Sequence, residues 1–123
     1  MKEAQFGFLY MPVLSGSSGR DLAISLSEIL GMNSIAIESR KFPDGEGYVR
    51  VPIESFDEIR SEPVILVSNT FPDSGIMRTI LMLEAINDIR RGDLENFKEE
   101  GDQNLDYVGP GVFLAIPYYG YAR

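Results

Sequence analysis

The sequence predicts an α/β fold, a three-layer sandwich on a mostly parallel sheet. Three observations carry that prediction. Strand-like and helix-like runs alternate along the chain, the order that builds parallel sheets through helical crossovers. Val64, Ile65, Leu66 and Val67 follow one another without polar alternation, as in a strand covered on both faces. The run from Ser74 to about Arg91 has a wide apolar set at helical spacing, enough to face a sheet and a second surface. With 123 residues the chain fits one domain, 1–123, with a real core.

The elements are expected in the following order. Phe6–Leu14 is mostly apolar and gives a first strand. Ser15–Gly19 is a small polar turn, in which Ser18 can cap the next helix and Asp21 suits its first turn. Leu22, Ala23, Leu26, Ile29 and Leu30 recur at helical spacing, and Gly31 is placed to end the helix. That glycine-rich turn could also hold a phosphate on free amides, but no Walker lysine follows, so a tight connection is preferred. Ser34–Ser39 is a second strand and Tyr48–Ile53 a third, limited by Pro52. Ser55–Arg60 makes a short helical turn, and Pro63–Ser68 is the strand buried on both faces. Asp73 or Ser74 caps the long helix, and Val112–Ile116 is the last strand. Gly92–Pro110 is polar and acidic and reads as a solvated surface excursion, with Leu94 and Phe97 able to hold a short helical piece. Ligands of such sheets sit beyond the carboxyl ends of the strands, so the loops after Leu14, Ser39, Ser68 and Ile116 are the places to look.

Composition removes whole classes of chemistry. The chain has no cysteine and no histidine, which excludes disulfides, thiolate nucleophiles, a Ser-His-Asp triad and most zinc sites within it. A net charge of −8 without a basic run argues against nucleic acid or an anionic membrane as partner. Met1–Leu14 lacks the pattern of a signal peptide and no run reaches transmembrane length, so the expected compartment is the cytoplasm.

The most unusual stretch is Lys41-Phe42-Pro43-Asp44-Gly45-Glu46-Gly47, between the second and third strands. Pro43 restrains its own φ and the conformation of Phe42, and the two glycines open backbone angles closed to other residues. A stiff loop would present Phe42, Asp44 and Glu46 at fixed positions, an apolar ring beside two carboxylates, suited to a purine base and its donors. Taken alone, the run reads first as a surface turn with solvated acids.

Two further segments change that weighting. They are Ser15-Gly16-Ser17-Ser18-Gly19-Arg20-Asp21-Leu22-Ala23 and Ala115-Ile116-Pro117-Tyr118-Tyr119-Gly120-Tyr121-Ala122-Arg123. With the Phe-Pro-Asp-Gly-Glu run, in this order, the chain resembles the amino-terminal half of ribose-phosphate pyrophosphokinase. The resemblance covers most of the chain, apart from the first dozen residues and about 93–112. Its most specific part is Pro-Tyr-Tyr-Gly-Tyr-Ala-Arg, and its weakest is Ser-Gly-Ser-Ser.

The resemblance implies a phosphoribosyltransferase type I-like fold, with this chain as the first of two similar domains and the second absent. It implies transfer of the β,γ-diphosphoryl group of ATP to ribose 5-phosphate, with Mg2+ as cofactor. Phe42, Asp44 and Glu46 would form an adenine loop serving ATP held mostly by a neighbouring subunit, and Arg123 would contact ATP from its own side. A homodimer or higher homo-oligomer follows. The mobile catalytic loop, a magnesium-ligating histidine and the ribose 5-phosphate loop of the family have no counterpart here. No catalytic residue and no metal ligand is therefore expected in this chain, and the chain by itself should be inactive. The long 92–110 segment departs from the family pattern. Two other readings stay open: a non-catalytic partner or regulatory binding module of the same family, and an unrelated phosphate-binding α/β domain.

Overall fold

In a computed structural model the described residues are 10–70, 73–99 and 110–117. The elements run β1 (Val13–Ser15), α1 (Arg20–Leu30), β2 (Ser34–Ala36), β3 (Glu38–Lys41), β4 (Gly47–Arg50), a 3-10 turn (Ile53–Ser55), α2 (Phe56–Ser61), β5 (Val64–Val67), α3 (Asp73–Glu99) and β6 (Val112–Ala115). The strands β2, β1, β5 and β6 lie in that order in one parallel sheet, and β3 and β4 form a separate antiparallel hairpin.

Side-chain alternation along the sheet builds two cores. Val13 of β1 and Val67 of β5 face α1 and pack with Ala23, against which Leu26, Met32, Ile65 and Ala115 also rest. Leu14, Val64 and Leu66 point the other way and join Ile35, Ile37, Val51, Ile59, Met82, Ile86 and Ile89 under α2, α3 and the hairpin. Helix, sheet and helix give the three layers that the pattern predicts. β5 supplies residues to both cores, which is why its sequence shows no polar alternation.

The helix α1 stops as expected. Gly31 takes a left-handed conformation at φ 70°, its N–H reaches the Glu28 carbonyl, and the Met32 N–H donates to the Ser27 carbonyl at 2.9 Å. This pair of bonds is the Schellman arrangement, which a residue with a β-carbon would strain. The start differs from expectation. Gly19, at φ 79°, is the cap residue, with no side-chain cap bond, and the Ser18 hydroxyl accepts from the Asn69 N–H instead. The turn is a tight connection: a β-carbon on Gly19 would stand 2.9 Å from a Val67 methyl. The buried stripe is also narrower than the periodicity suggests, with Ala23 and Ser27 inside and Ile29 80% exposed.

The expected second strand, Ser34–Ser39, is two strands. Ser34–Ala36 pairs with Val13–Ser15, and the Ile37 N–H donates to the Ser15 carbonyl at 2.8 Å. β1 has no further residue to pair, so the chain leaves the sheet and Glu38 begins the hairpin. The expected strand Tyr48–Ile53 ends at Arg50: Val51 turns inward, and Pro52, which has no N–H for a ladder, accepts from Ser55 to open the 3-10 turn. The long helix runs on to Glu99, past the expected end near Arg91, so the first part of 92–110 is helical. The rest of that segment to residue 109, and the strand portion Phe6–Leu9, lie outside the described residues.

α2 and α3 are joined by polar bonds as well as apolar packing. Arg90 is buried, and its guanidinium donates to the carbonyls of Ile59, Glu62 and Pro110. Ser68 and Thr79 hydroxyls sit 2.7 Å apart in the interior, tying the end of β5 to α3. No helix among the described residues is long and apolar enough to cross a membrane.

Candidate functional site

The hairpin β3–β4 closes on the unusual loop. Lys41 pairs with Gly47, and the Phe42 N–H extends the ladder by donating to the Glu46 carbonyl at 2.9 Å. The Gly45 N–H returns to the Phe42 carbonyl at 2.8 Å, with Gly45 at φ 93°. That is a three-residue hairpin connection, Pro43–Gly45, with the left-handed position filled by glycine. Proline follows the first turn residue, where its fixed φ is wanted. The Asp44 carboxylate accepts the Glu46 N–H at 2.9 Å, a local bond that further fixes the tip.

This geometry brings three of the four expected nucleotide-binding residues together. Phe42, Asp44 and Glu46 are all exposed at the tip, and Phe42 keeps 40% of its surface open. Its ring is steadied from one side by Tyr48, edge-on at 5.3 Å between centroids and 60° between planes. Arg123, the fourth, lies outside the described residues, as does the rest of the Tyr-Tyr-Gly-Tyr-Ala-Arg run.

Behind the loop is a cavity of about 420 Å3 that the sequence reading did not anticipate. Its walls are the hairpin (Ser39, Arg40, Lys41, Gly45, Gly47, Tyr48), Ser17 from the turn after β1, and Ser74, Met77, Arg78 and Leu81 of α3. It therefore opens at the carboxyl end of β1, where sheets of this kind bind ligands. The hairpin rests close on α3: a β-carbon at Gly47 would fall 2.9 Å from a Leu81 methyl. A signal was available in sequence. Ser74, Met77, Arg78 and Leu81 stand at i, i+3, i+4 and i+7, one stripe of the helix that includes a cation. Among the described residues there is no group of three or more His, Cys, Asp or Glu side chains that could hold a metal ion.

Residues 11–91 match the family model for the N-terminal domain of ribose phosphate pyrophosphokinase. The chain belongs to the ribose-phosphate pyrophosphokinase family. Relatives named ribose-phosphate pyrophosphokinase include proteins from Saccharolobus solfataricus, 38% identical over 115 residues, and Thermoplasma acidophilum, 32% identical over 113 residues. A third, from Methanothermobacter thermautotrophicus, is 31% identical over 112 residues. The alignments cover 92%, 92% and 90% of this chain respectively, and 32% of each relative. The chain thus spans about a third of the length of these ribose-phosphate pyrophosphokinases.

Proposed function

We propose that this chain is the adenine-binding and subunit-contact part of a ribose-phosphate pyrophosphokinase, a transferase of nucleotide biosynthesis. In that reaction the C1 hydroxyl of ribose 5-phosphate attacks the β-phosphorus of ATP. The bond to the α-phosphate breaks, AMP leaves, and phosphoribosyl pyrophosphate forms. Transfers of this kind depend on positioning and charge stabilisation more than on covalent chemistry. Magnesium, when bound with ATP, would neutralise charge on the phosphate oxygens.

The observation that carries the reading is the partly open ring of Phe42, held by a stiff three-residue turn beside Asp44 and Glu46. A flat apolar face offers stacking to a purine, and carboxylates accept from an exocyclic amine. Asp44 has a double part, since its carboxylate also fixes the turn through the Glu46 N–H. Arg123 would approach the same nucleotide from the subunit that holds its phosphates. The chain works in a homodimer or larger homo-oligomer, in the cytoplasm. Exposed apolar side chains on α3 and β6, Met77, Ile80 and Phe113 among them, support a covered face there.

The test is complementation in trans within the longer enzyme. Phe42→Ala subunits and Arg123→Ala subunits are each expected to be weak, and mixing them should restore part of the activity by pairing an intact loop with an intact arginine. Mixtures no better than the separate variants would remove the shared-site reading. The 123-residue chain alone should release no AMP from ATP and ribose 5-phosphate.

A further inference from the structure

We propose that the cavity between the hairpin β3–β4 and the first turns of α3 binds a phosphate-bearing small molecule. Its charge is the first reason. The chain has 19 acidic and 11 basic residues, yet three of the basic ones, Arg40, Lys41 and Arg78, line this cavity, and no carboxylate stands among its described lining residues. Cations gathered against such a net balance cost self-repulsion, which an anion relieves.

Hydrogen-bonding capacity is the second. Arg78 is partly buried and lines the cavity, and a guanidinium fork suits the oxygens of a phosphate. Ser17, Ser39 and Ser74 bring three hydroxyls from three elements to the same space. Arg40 already contacts Glu38 at 3.7 Å, but both side chains are well exposed and such a pair yields easily to a better acceptor.

The size and remaining lining set the ligand class. At about 420 Å3 the cavity falls in the range of small-molecule sites, about 300–1,000 Å3. Met77, Leu81 and the Tyr48 ring, over which the Arg40 guanidinium lies at 5.1 Å, add an apolar wall. Free phosphate would satisfy the cations; a phosphorylated sugar or nucleotide would also use that wall. Phe42 itself does not line the cavity.

Calorimetric titration of the 123-residue chain with orthophosphate, ribose 5-phosphate, AMP and ATP tests it, alongside amide chemical shifts. Saturable, salt-sensitive binding by at least one is expected, with shifts at Ser17, Gly45 and Arg78. Arg78→Gln and Lys41→Gln should each weaken it on the order of tenfold, the scale of one charge-assisted bond. Arg50→Gln should leave orthophosphate binding unchanged. Equal affinity for orthophosphate and the organic phosphates identifies the inorganic ion, and tighter binding of an organic phosphate identifies a ligand that fills the apolar wall. Lys41 sits on the exposed hairpin, so its variant keeps the test valid if Arg78→Gln fails to fold. No saturable binding, or binding undiminished in Lys41→Gln and in folded Arg78→Gln, overturns the proposal.

Discussion

Arg60 and Arg90 are bonded reciprocally across α2 and α3. The Nε of Arg60 donates to the carbonyl of Ile89, and the Nε of Arg90 donates to the carbonyl of Ile59, each at 3.0 Å. The two contributions differ in weight. Arg90 is 6% exposed and its other nitrogens reach Glu62 and Pro110, so it satisfies the carboxyl-terminal carbonyls of the short helix α2 and holds the approach to β6. Arg60 is half-buried and also meets Asp57, whose side chain is fully exposed.

Replacing Arg90 by Met should therefore destabilise the fold strongly, by about 3 kcal/mol or more, because several buried carbonyls lose their donor at once. Arg90→Lys should recover only part, since an ammonium cannot reproduce a three-way fork. Arg60→Met should cost clearly less. Urea unfolding of the three variants checks the order, and equal losses for Arg60→Met and Arg90→Met would contradict it.

Gly75 offers a test in which two effects oppose. A glycine-to-alanine change inside a helix ordinarily stabilises, by about 1 kcal/mol. Here the added methyl would lie 2.7 Å from the Asn69 carbonyl oxygen and 3.1 Å from the Thr70 carbonyl carbon, backbone atoms that cannot rotate away. Overpacking should win, with a net loss of roughly 1–3 kcal/mol. The expected sign is a lower urea midpoint at unchanged slope.

Phe42→Ala separates binding from stability. In the longer enzyme it should weaken ATP by roughly 1–3 kcal/mol, the range for a base stacked on an aromatic ring. Ribose 5-phosphate affinity should stay the same. Loss of the edge-on contact with Tyr48 should lower stability by only about 0.5–1.5 kcal/mol. Equal weakening of both substrates with a large fall in melting temperature would instead make Phe42 an anchor of the loop.

Tyr10 carries a pH prediction. Burial first, and then its hydrogen bond to the Glu58 carboxylate, hold its phenol well above the usual range. A group whose pKa is raised on folding contributes stability that is complete below the unfolded value, about 10, and declines as the pH climbs beyond it. The stability difference between the native chain and Tyr10→Phe should thus be constant from pH 7 to 9 and shrink above pH about 10. Urea unfolding of both proteins across that range measures it. A difference that holds constant to pH about 11 would show that Tyr10 ionises as it does in the unfolded chain.

Much of the layout was legible in sequence because local rules decided it. The run Val64–Val67 had to be covered on both faces, whatever lay there, since none of its residues suits water. Gly31 ended α1 because a left-handed residue was needed at that point. The Phe42–Glu46 turn followed from proline and glycine placed three-residue-loop fashion between strands. Those are short-range constraints, written in neighbouring residues.

Other features depend on what a segment meets. Ser34–Ser39 has one propensity throughout, but β1 is only three residues long, so pairing ran out at Ala36 and the remainder had to find β4. Ser18 has the chemistry of a helix cap, yet Asn69 from a distant loop claims its hydroxyl. Gly92 lowers helix propensity without ending α3, which runs through it to Glu99. Arg90 looks like a surface cation by sequence and becomes an interior brace only because α2, α3 and the start of β6 converge on it. The cavity of Arg40, Lys41 and Arg78 is the same kind of fact: residues far apart in the chain acquire a common field only when the hairpin folds onto α3. Family, the buried strand and the Phe42–Glu46 turn could be read from residue order, because each rests on contiguous residues; the sharing of one polar space by distant residues is set by chain packing, and tertiary structure alone decided it.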